Sequence, residues 1–137
     1  MNRVTDDLYV GSRADAADHA ALREAGVTFV LRVTGRGPEA GYPDGVTVTA
    51  VPMRDGPQND PVQFGEAVDR LRGALGEETV LVHCAAGTSR SRSVVAAALA
   101  AERDIPLADA YERAGATPEE PPHDALIRRA AGYLDGA

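Results

Sequence analysis

Residues 80–93 read VLVHCAAGTSRSRS and run directly into VVAAALAAE. Val80, Leu81, Val82 and His83 form a short, mostly apolar run of β-formers set off by the turn at Gly76, Glu77 and Glu78, and the alanine-rich segment after Ser91 favours helix. The order is therefore strand, tight loop, helix. The loop opens on Cys84, the single cysteine of the chain, continues through Ala85, Ala86, Gly87, Thr88 and Ser89, and closes on Arg90. Five small residues let successive backbone N–H groups turn inward, and a helix starting near Ser91 adds its unpaired N–H groups and the positive end of its dipole. Such a loop is a socket for a tetrahedral anion. Arg90 stands where its planar fork can hold two oxygens of a phosphate, which the point charge of a lysine does less specifically.

The same surroundings act on the cysteine. A helix N-terminus and a nearby guanidinium favour the ionised form of a thiol, so a standing, exposed thiolate is expected at Cys84. Phosphate would be held by N–H groups and Arg90 while the sulfur faces phosphorus. A lone cysteine is usually an inert core residue; the strand before it and the loop, arginine and helix after it argue for the reactive reading.

Composition bounds the rest. A chain of 137 residues suits one domain spanning residues 1–137 with a real hydrophobic core. One cysteine leaves no internal disulfide framework, and no apolar run follows Met1, so a reducing, cytoplasmic setting is expected. No apolar stretch reaches the ~20 residues that span a bilayer. A net charge of −7 disfavours nucleic acid or an anionic membrane as partner. Negative substrates must then be attracted locally. All 14 basic residues are arginine. His83 beside Cys84 has no second donor pair at ligand spacing, so neither a metal nor another cofactor is expected. The expected state is a monomer.

Outward from the central stretch, the pattern alternates. Leu8, Tyr9 and Val10 with Gly11 read as a first strand and turn. Ser12 or Asp15 suits the cap of a helix carrying Ala17, Ala20, Ala21 and Leu22, closed by Gly26. Residues 27–33 are a continuous apolar strand of the kind covered on both faces. The Gly- and Pro-rich segment 34–45 is a loop at that strand's carboxyl end, where open α/β sheets place ligands; Arg36 within it reads as solvated or as a docking residue. Residues 46–51 form another strand. Pro61 opens a helix with Val62, Phe64, Ala67, Val68, Leu71 and Leu75 on one face. Further helices follow over 91–103, from Pro106 to about residue 114, and from Pro122 onward. His19 and His123 show no evident partner in the sequence. Arg92 reads as an exposed first-turn side chain or as extra positive potential near the socket. The implied architecture is α/β: one domain with a central, mainly parallel sheet of four to five strands and helices on both faces.

Cleavage of a phosphate ester needs a proton for the leaving oxygen and then a base for water, and one carboxyl group can serve both in turn. Two candidates precede the loop. Asp55 follows a strand and precedes Gly56-Pro57, which suits a flap or a plain turn. Asp60 precedes Pro61 and suits a helix cap, which would commit its carboxylate to backbone donors.

HCAAGTSRS resembles the signature of the cysteine-dependent protein tyrosine phosphatases (His-Cys, five residues, Arg, then Ser or Thr) and in detail the dual-specificity branch. TDDLYVGS at residues 5–12, the strand at 27–33 and residues 51–55 fall where that branch has its first strand, second strand and acid loop, so the likeness covers about residues 5–134. The resemblance implies Cys84 as nucleophile, Arg90 as phosphate clamp, Ser91 as the hydroxyl that helps the thiolate leave, His83 as the residue that orients the loop, and Asp55 rather than Asp60 as general acid and base. It implies a phosphocysteine intermediate and a phosphorylated protein or small phosphomonoester as substrate. The loop carries no Lys or Arg between Cys84 and Arg90, unlike phosphoinositide-directed relatives, and nothing resembles the phosphotyrosine-recognition motif of the larger phosphatases. Phosphotyrosine together with phosphoserine and phosphothreonine is therefore expected. Sulfurtransferases lack the Arg-Ser ending, and the low-molecular-weight phosphatases place cysteine before acid. A phosphate-reading module without turnover remains an alternative, although a binder has no need of Cys84 and Asp55 together. With no second cysteine, reversible oxidation would run through a sulfenamide or a mixed disulfide.

Overall fold

The run at 80–83 is buried at all four residues, including His83, which only a strand flanked and covered on both sides allows. In the computed structural model, which describes residues 1–136, the elements in order are β1 (Asn2–Thr5), β2 (Leu8–Gly11), α1 (Arg13–Ala17), α2 (His19–Ala25), β3 (Phe29–Arg32), β4 (Thr47–Ala50), α3 (Pro61–Ala74), β5 (Val80–His83), α4 (Arg90–Arg103), α5 (Leu107–Arg113) and α6 (Asp124–Gly136). The sheet order is β1-β2-β5-β3-β4. β5 lies at its centre, parallel to β2 and β3, with β4 parallel on the far side of β3 and β1 antiparallel at the other edge.

Strand alternation divides the core into two. Val80 and Val82 of β5, with Val10 and Leu31, face the larger cluster packed by Phe64, Val68 and Leu71 of α3, by α4, and by Leu126 and Ala130 of α6. Leu81, with Val30 on β3, faces the smaller cluster with Ala16 and Leu22 of α1 and α2. Helices thus cover both faces, as expected. Helix α4 is the most enclosed, with every residue from Ser91 to Ala100 buried. Its alanines allow close approach of α3, α5 and α6, and they cost no side-chain entropy on burial.

One local reading needs correction. The single helix expected before Gly26 is two, because Asp18 ends α1 and its side chain then accepts from Ala21 N–H to cap α2. Ser12 and Asp15 both serve α1, in a reciprocal capping box. The strand β1 had no separate expectation; it is four half-exposed residues turned back by Asp6 and Asp7. Among the described residues no helix is long and apolar enough to cross a membrane.

Candidate active site

The carboxyl ends of β2, β3 and β5 carry the site, and the loop after β5 is tied to both neighbours. Val33 N–H donates to His83 C=O at 3.0 Å, Arg13 N–H to Ala85 C=O at 3.0 Å, and Cys84 N–H to Gly11 C=O at 3.4 Å. Gly87 sits at the tightest point. Its φ is +78°, and a Cβ there would lie 2.8 Å from the Gly11 carbonyl carbon and 2.9 Å from Ser12 N, so backbone packs directly on backbone.

Cys84 is 2 % exposed, so the sulfur lies at the floor of the loop rather than in the open as expected. Gly87 N–H donates to Sγ at 3.2 Å and the buried Ser91 hydroxyl lies 3.2 Å from it. The loop and the helix behind it therefore converge on one atom.

His83 is fully buried, and burial holds its imidazole below the ordinary histidine range. The nearby Arg32 and Arg13 push the same way against the Cys84 carbonyl and Asp15. The ring is neutral at neutral pH, and its tautomer follows from its partners. The Cys84 carbonyl, 3.0 Å from Nδ1, can only accept, so Nδ1 carries the proton and Nε2 accepts from the Tyr42 hydroxyl at 2.8 Å. His83 is thus a strut between the loop backbone and the 34–45 segment.

Arg90 starts α4. Its Nη1 donates to Thr34 Oγ1 and to Met53 C=O, each at 3.2 Å, which fixes the plane of the guanidinium. Its Nε is buried and has no partner. A buried donor left unpaired costs ~1–3 kcal/mol, which an oxyanion placed against that edge would relieve. The first N–H groups of α4 are likewise without a side-chain cap. The hydroxyl of Ser89, placed to cap them, turns instead to Asp55 Oδ1 at 2.7 Å.

Asp55 is thereby tied to the loop of Cys84, on an exposed segment that Asn59 braces, its Nδ2 donating to Arg54 C=O at 2.8 Å. Asp60 has the other fate: its Oδ1 accepts from Val62 N–H at 2.8 Å as the cap of α3. Asp55, Cys84, Arg90, Ser91 and His83 come together; Asp60 and Arg36 do not join them by any bond. Of the loop residues, Ala86 is exposed, Ala85 and Thr88 are half-buried, and Gly87 and Ser89 are buried.

Several residues have partners that local patterns did not disclose. His19 is half-buried, with Nε2 2.8 Å from Gly41 C=O, and is not a solvated side chain. His123 donates its N–H to Ser89 Oγ at 2.9 Å, and its Nδ1 accepts from Ala125 N–H. Arg92 is 6 % exposed rather than free, with Nη1 on Glu120 C=O at 3.3 Å and Nη2 3.7 Å from the Glu120 carboxylate. Tyr42 and Thr34, which brace His83 and Arg90, were not singled out either. Apart from the His123–Ala125 bond, each of these contacts joins segments at least 22 residues apart, beyond the reach of any local spacing.

Comparison with known proteins agrees with this geometry. Residues 8–116 match the family model for the dual specificity phosphatase catalytic domain. Human dual specificity protein phosphatase 12 is 36% identical over 121 residues, covering 82% of this chain and 35% of that protein. Human dual specificity protein phosphatase 22 is 36% identical over 125 residues, covering 84% of this chain and 64% of the relative. The chain thus spans less than two thirds of the length of either relative. The crystal structure of human DUSP28 superposes with a TM-score of 0.86 at 28% identity, covering 99% of this chain and 96% of that one. That of a mouse dual specificity phosphatase complexed with zinc tungstate gives 0.84 at 25% identity, covering 98% and 86%. With residues 8–116 matching the family model and the fold superposing on that of the family's solved structures, the chain belongs to the dual-specificity phosphatases.

Proposed function

We propose that this domain hydrolyses phosphomonoesters on proteins, phosphotyrosine together with phosphoserine and phosphothreonine, through a phosphocysteine intermediate. The phosphate enters the loop with its non-bridging oxygens on the loop N–H groups and on the free Nε edge of Arg90. Sγ of Cys84 attacks phosphorus, the bond to the leaving oxygen breaks, and Asp55 gives that oxygen its proton. In the second step water attacks, Asp55 takes its proton, and the S–P bond breaks while the Ser91 hydroxyl, 3.2 Å away, hydrogen-bonds the departing thiolate.

The observation that carries this reading is the pairing of two vacant donors with one nucleophile. Arg90 Nε is buried and unpartnered, α4 starts without a side-chain cap, and Cys84 Sγ accepts from Gly87 N–H within the same loop. Tungstate, a tetrahedral oxyanion, was found with the mouse relative of the same fold, which fits an oxyanion socket in this chain too. Absence of basic side chains from Ala85 to Ser89 favours a phosphoprotein over a multiply phosphorylated inositol. The net charge of −7 weighs against a nucleic-acid or anionic-membrane partner. A nucleophile that must stay reduced suits the cytoplasm.

Hydrolysis of a small aryl phosphate by wild type, Cys84→Ser and Asp55→Ala tests the chemistry. The expected result is no turnover without the thiol and a deep loss without the acid; equal rates in all three would make the domain a phosphate-binding module. Matched phosphopeptides then test the substrate class, and activity confined to phosphotyrosine would overturn the dual specificity.

A further inference from the structure

Ser89 directly precedes α4, where a serine ordinarily caps its helix. Here its Oγ does something else: it accepts from the N–H of His123 at 2.9 Å and donates to Oδ1 of Asp55 at 2.7 Å. The direction of both bonds follows from the donor inventory. A backbone N–H only donates, so Oγ accepts from His123. The hydroxyl has one proton, Ser89 is 6 % exposed, and among the described residues Asp55 is the acceptor bonded to it. Turning that proton away to accept from Asp55 would strand it in a buried site, a loss comparable to any unsatisfied buried donor.

Oδ1 is thereby an acceptor whether the carboxyl group is ionised or neutral, so the proton of the neutral acid resides on Oδ2. The start of α6 reinforces this at a neighbouring point. Gly56 follows Asp55 with φ at +94°, and a Cβ there would lie 3.4 Å from His123 Nε2, so the imidazole of His123 rests on the acid loop. The ring is itself set by Ala125 N–H donating to Nδ1.

We infer that Ser89, oriented by the backbone amide of His123, is the positioning residue of the general acid, holding Asp55 by Oδ1 and dedicating Oδ2 to proton transfer. This rests on the acid role proposed for Asp55. In the first step the S–P bond forms, the P–O bond to the leaving group breaks, and the Oδ2 proton passes to the leaving oxygen, leaving a carboxylate still held at Oδ1. In the second, water bonds to phosphorus, the S–P bond breaks, and the water proton returns to Oδ2. One bond from within the phosphate loop thus couples the acid to the socket that the substrate fills.

The test is the dependence of turnover on leaving-group basicity, measured with aryl phosphates running from dinitrophenyl to phenyl. A general acid contributes ~10²–10⁴, and its absence is felt most with the most basic leaving group. Asp55→Asn should show that graded loss. Ser89→Ala should show the same grading, by about ten- to a hundredfold on the phenyl ester, and the double variant should be no worse than Asp55→Asn alone. Ser89→Thr, which keeps the hydroxyl, should recover most of it. Vanadate inhibition within about threefold of wild type would show the socket intact; Ser89→Cys, with a weaker donor of similar size, replaces Ser89→Ala where that variant does not fold. An equal loss on every ester, or a loss fully additive with that of Asp55→Asn, would make Ser89 a mere part of the loop and overturn the inference. If Asp55→Asn itself showed no grading, the acid assignment would fall first and this inference with it.

Discussion

The loop that carries Cys84 and the loop that carries Asp55 are joined by the bonds from Ser89 to Asp55 and from Arg90 to Met53, and they are held by different means. Around Cys84 the side-chain contacts are local: Gly87 N–H and Ser91 Oγ on the sulfur, and Nδ1 of His83 on the carbonyl of Cys84 itself, spanning one to seven residues, while backbone bonds to Gly11 and Arg13 join the loop to the end of β2. Around Asp55 they come from afar. Arg90 reaches Met53 across 37 positions, Ser89 reaches Asp55 across 34, and Arg129 Nε reaches the carbonyl of Asn59 across 70. Cys84, Gly87 and Ser89 are also buried, whereas Arg54, Asp55, Pro57 and Gln58 are exposed. A socket that must bind a fixed tetrahedron gains from rigidity. An acid that must meet leaving groups of different size gains from a loop with few apolar contacts, which opens at low cost.

Arg90 both joins the two loops, through Met53, and offers its free Nε edge to the phosphate, so Arg90→Lys should have the largest effect. A lysine keeps the charge but cannot bond Thr34 and Met53 while presenting a second N–H edge to the phosphate. We expect kcat/KM on an aryl phosphate to fall by about 10²–10³, the loss typical of one oxyanion donor. A loss below tenfold would mean that charge alone holds the phosphate. Asn59→Ala sharpens the comparison at the next level down. It removes the bond to Arg54 C=O beneath the acid loop, and should cost about 1–2 kcal/mol of stability with a roughly tenfold fall in turnover of poor leaving groups. A change of stability with unchanged turnover would show that Ser89 alone suffices to place Asp55.

How much of the site could be read from the sequence follows the same division. Cys84, Arg90, Ser91 and His83 lie in nine consecutive positions, so strand, loop and helix could be inferred together with the socket they make. The role of Asp60 was legible for the same reason, since cap and Pro61 are adjacent. Asp55 could be named from the family pattern, but its tether could not, because nothing near Ser89 in the chain foretells His123. Tyr42 and Thr34 lie in a Gly- and Pro-rich segment that reads only as loop. Arg92 looks exposed from its place in a first turn, yet the fold returns Glu120 to it and buries it. The paired faces of β3 and β5 were readable as continuous apolar runs, while β1, short and half-exposed, gave no hydrophobic signal at all.

Tyr42→Phe tests the long-range brace of the His83 ring. The substitution deletes the donor to His83 Nε2 and leaves that nitrogen buried without a partner. Such an acceptor costs roughly 1–2 kcal/mol, which for a domain of this size lowers Tm by about 4 °C. A smaller effect on kcat than that of Asn59→Ala is expected, since Nδ1 still holds the Cys84 carbonyl. An unchanged Tm would show that the ring needs no second partner.

The smallest expected effect concerns the charge state of the same ring. Desolvation lowers the proton affinity of His83 in the folded protein, with Arg32 and Arg13 opposing a positive ring as well, whereas the unfolded chain titrates near the ordinary value of 6.5. Below pH 6.5 the unfolded state therefore binds the extra proton and the folded state resists it. The stability that depends on a neutral ring is fully present above 6.5 and is lost as pH falls from there toward the folded-state value. One proton limits the slope to about 1.4 kcal/mol per pH unit. Asp15 is likewise held below its ordinary value of 3.8: burial works against this and is outweighed by the Ser12 N–H and the chain's amino group. Its contribution is lost only as pH falls below 3.8, so the two windows separate. Denaturant midpoints between pH 7.5 and 5.0 should therefore decline toward acid, and ¹⁵N spectra of the imidazole at pH 7 should show a protonated Nδ1 and a bare Nε2. A midpoint that rises with acid would mean that the ring gains its proton in the folded state, and the Tyr42 hydroxyl would then have to accept from Nε2 rather than donate to it.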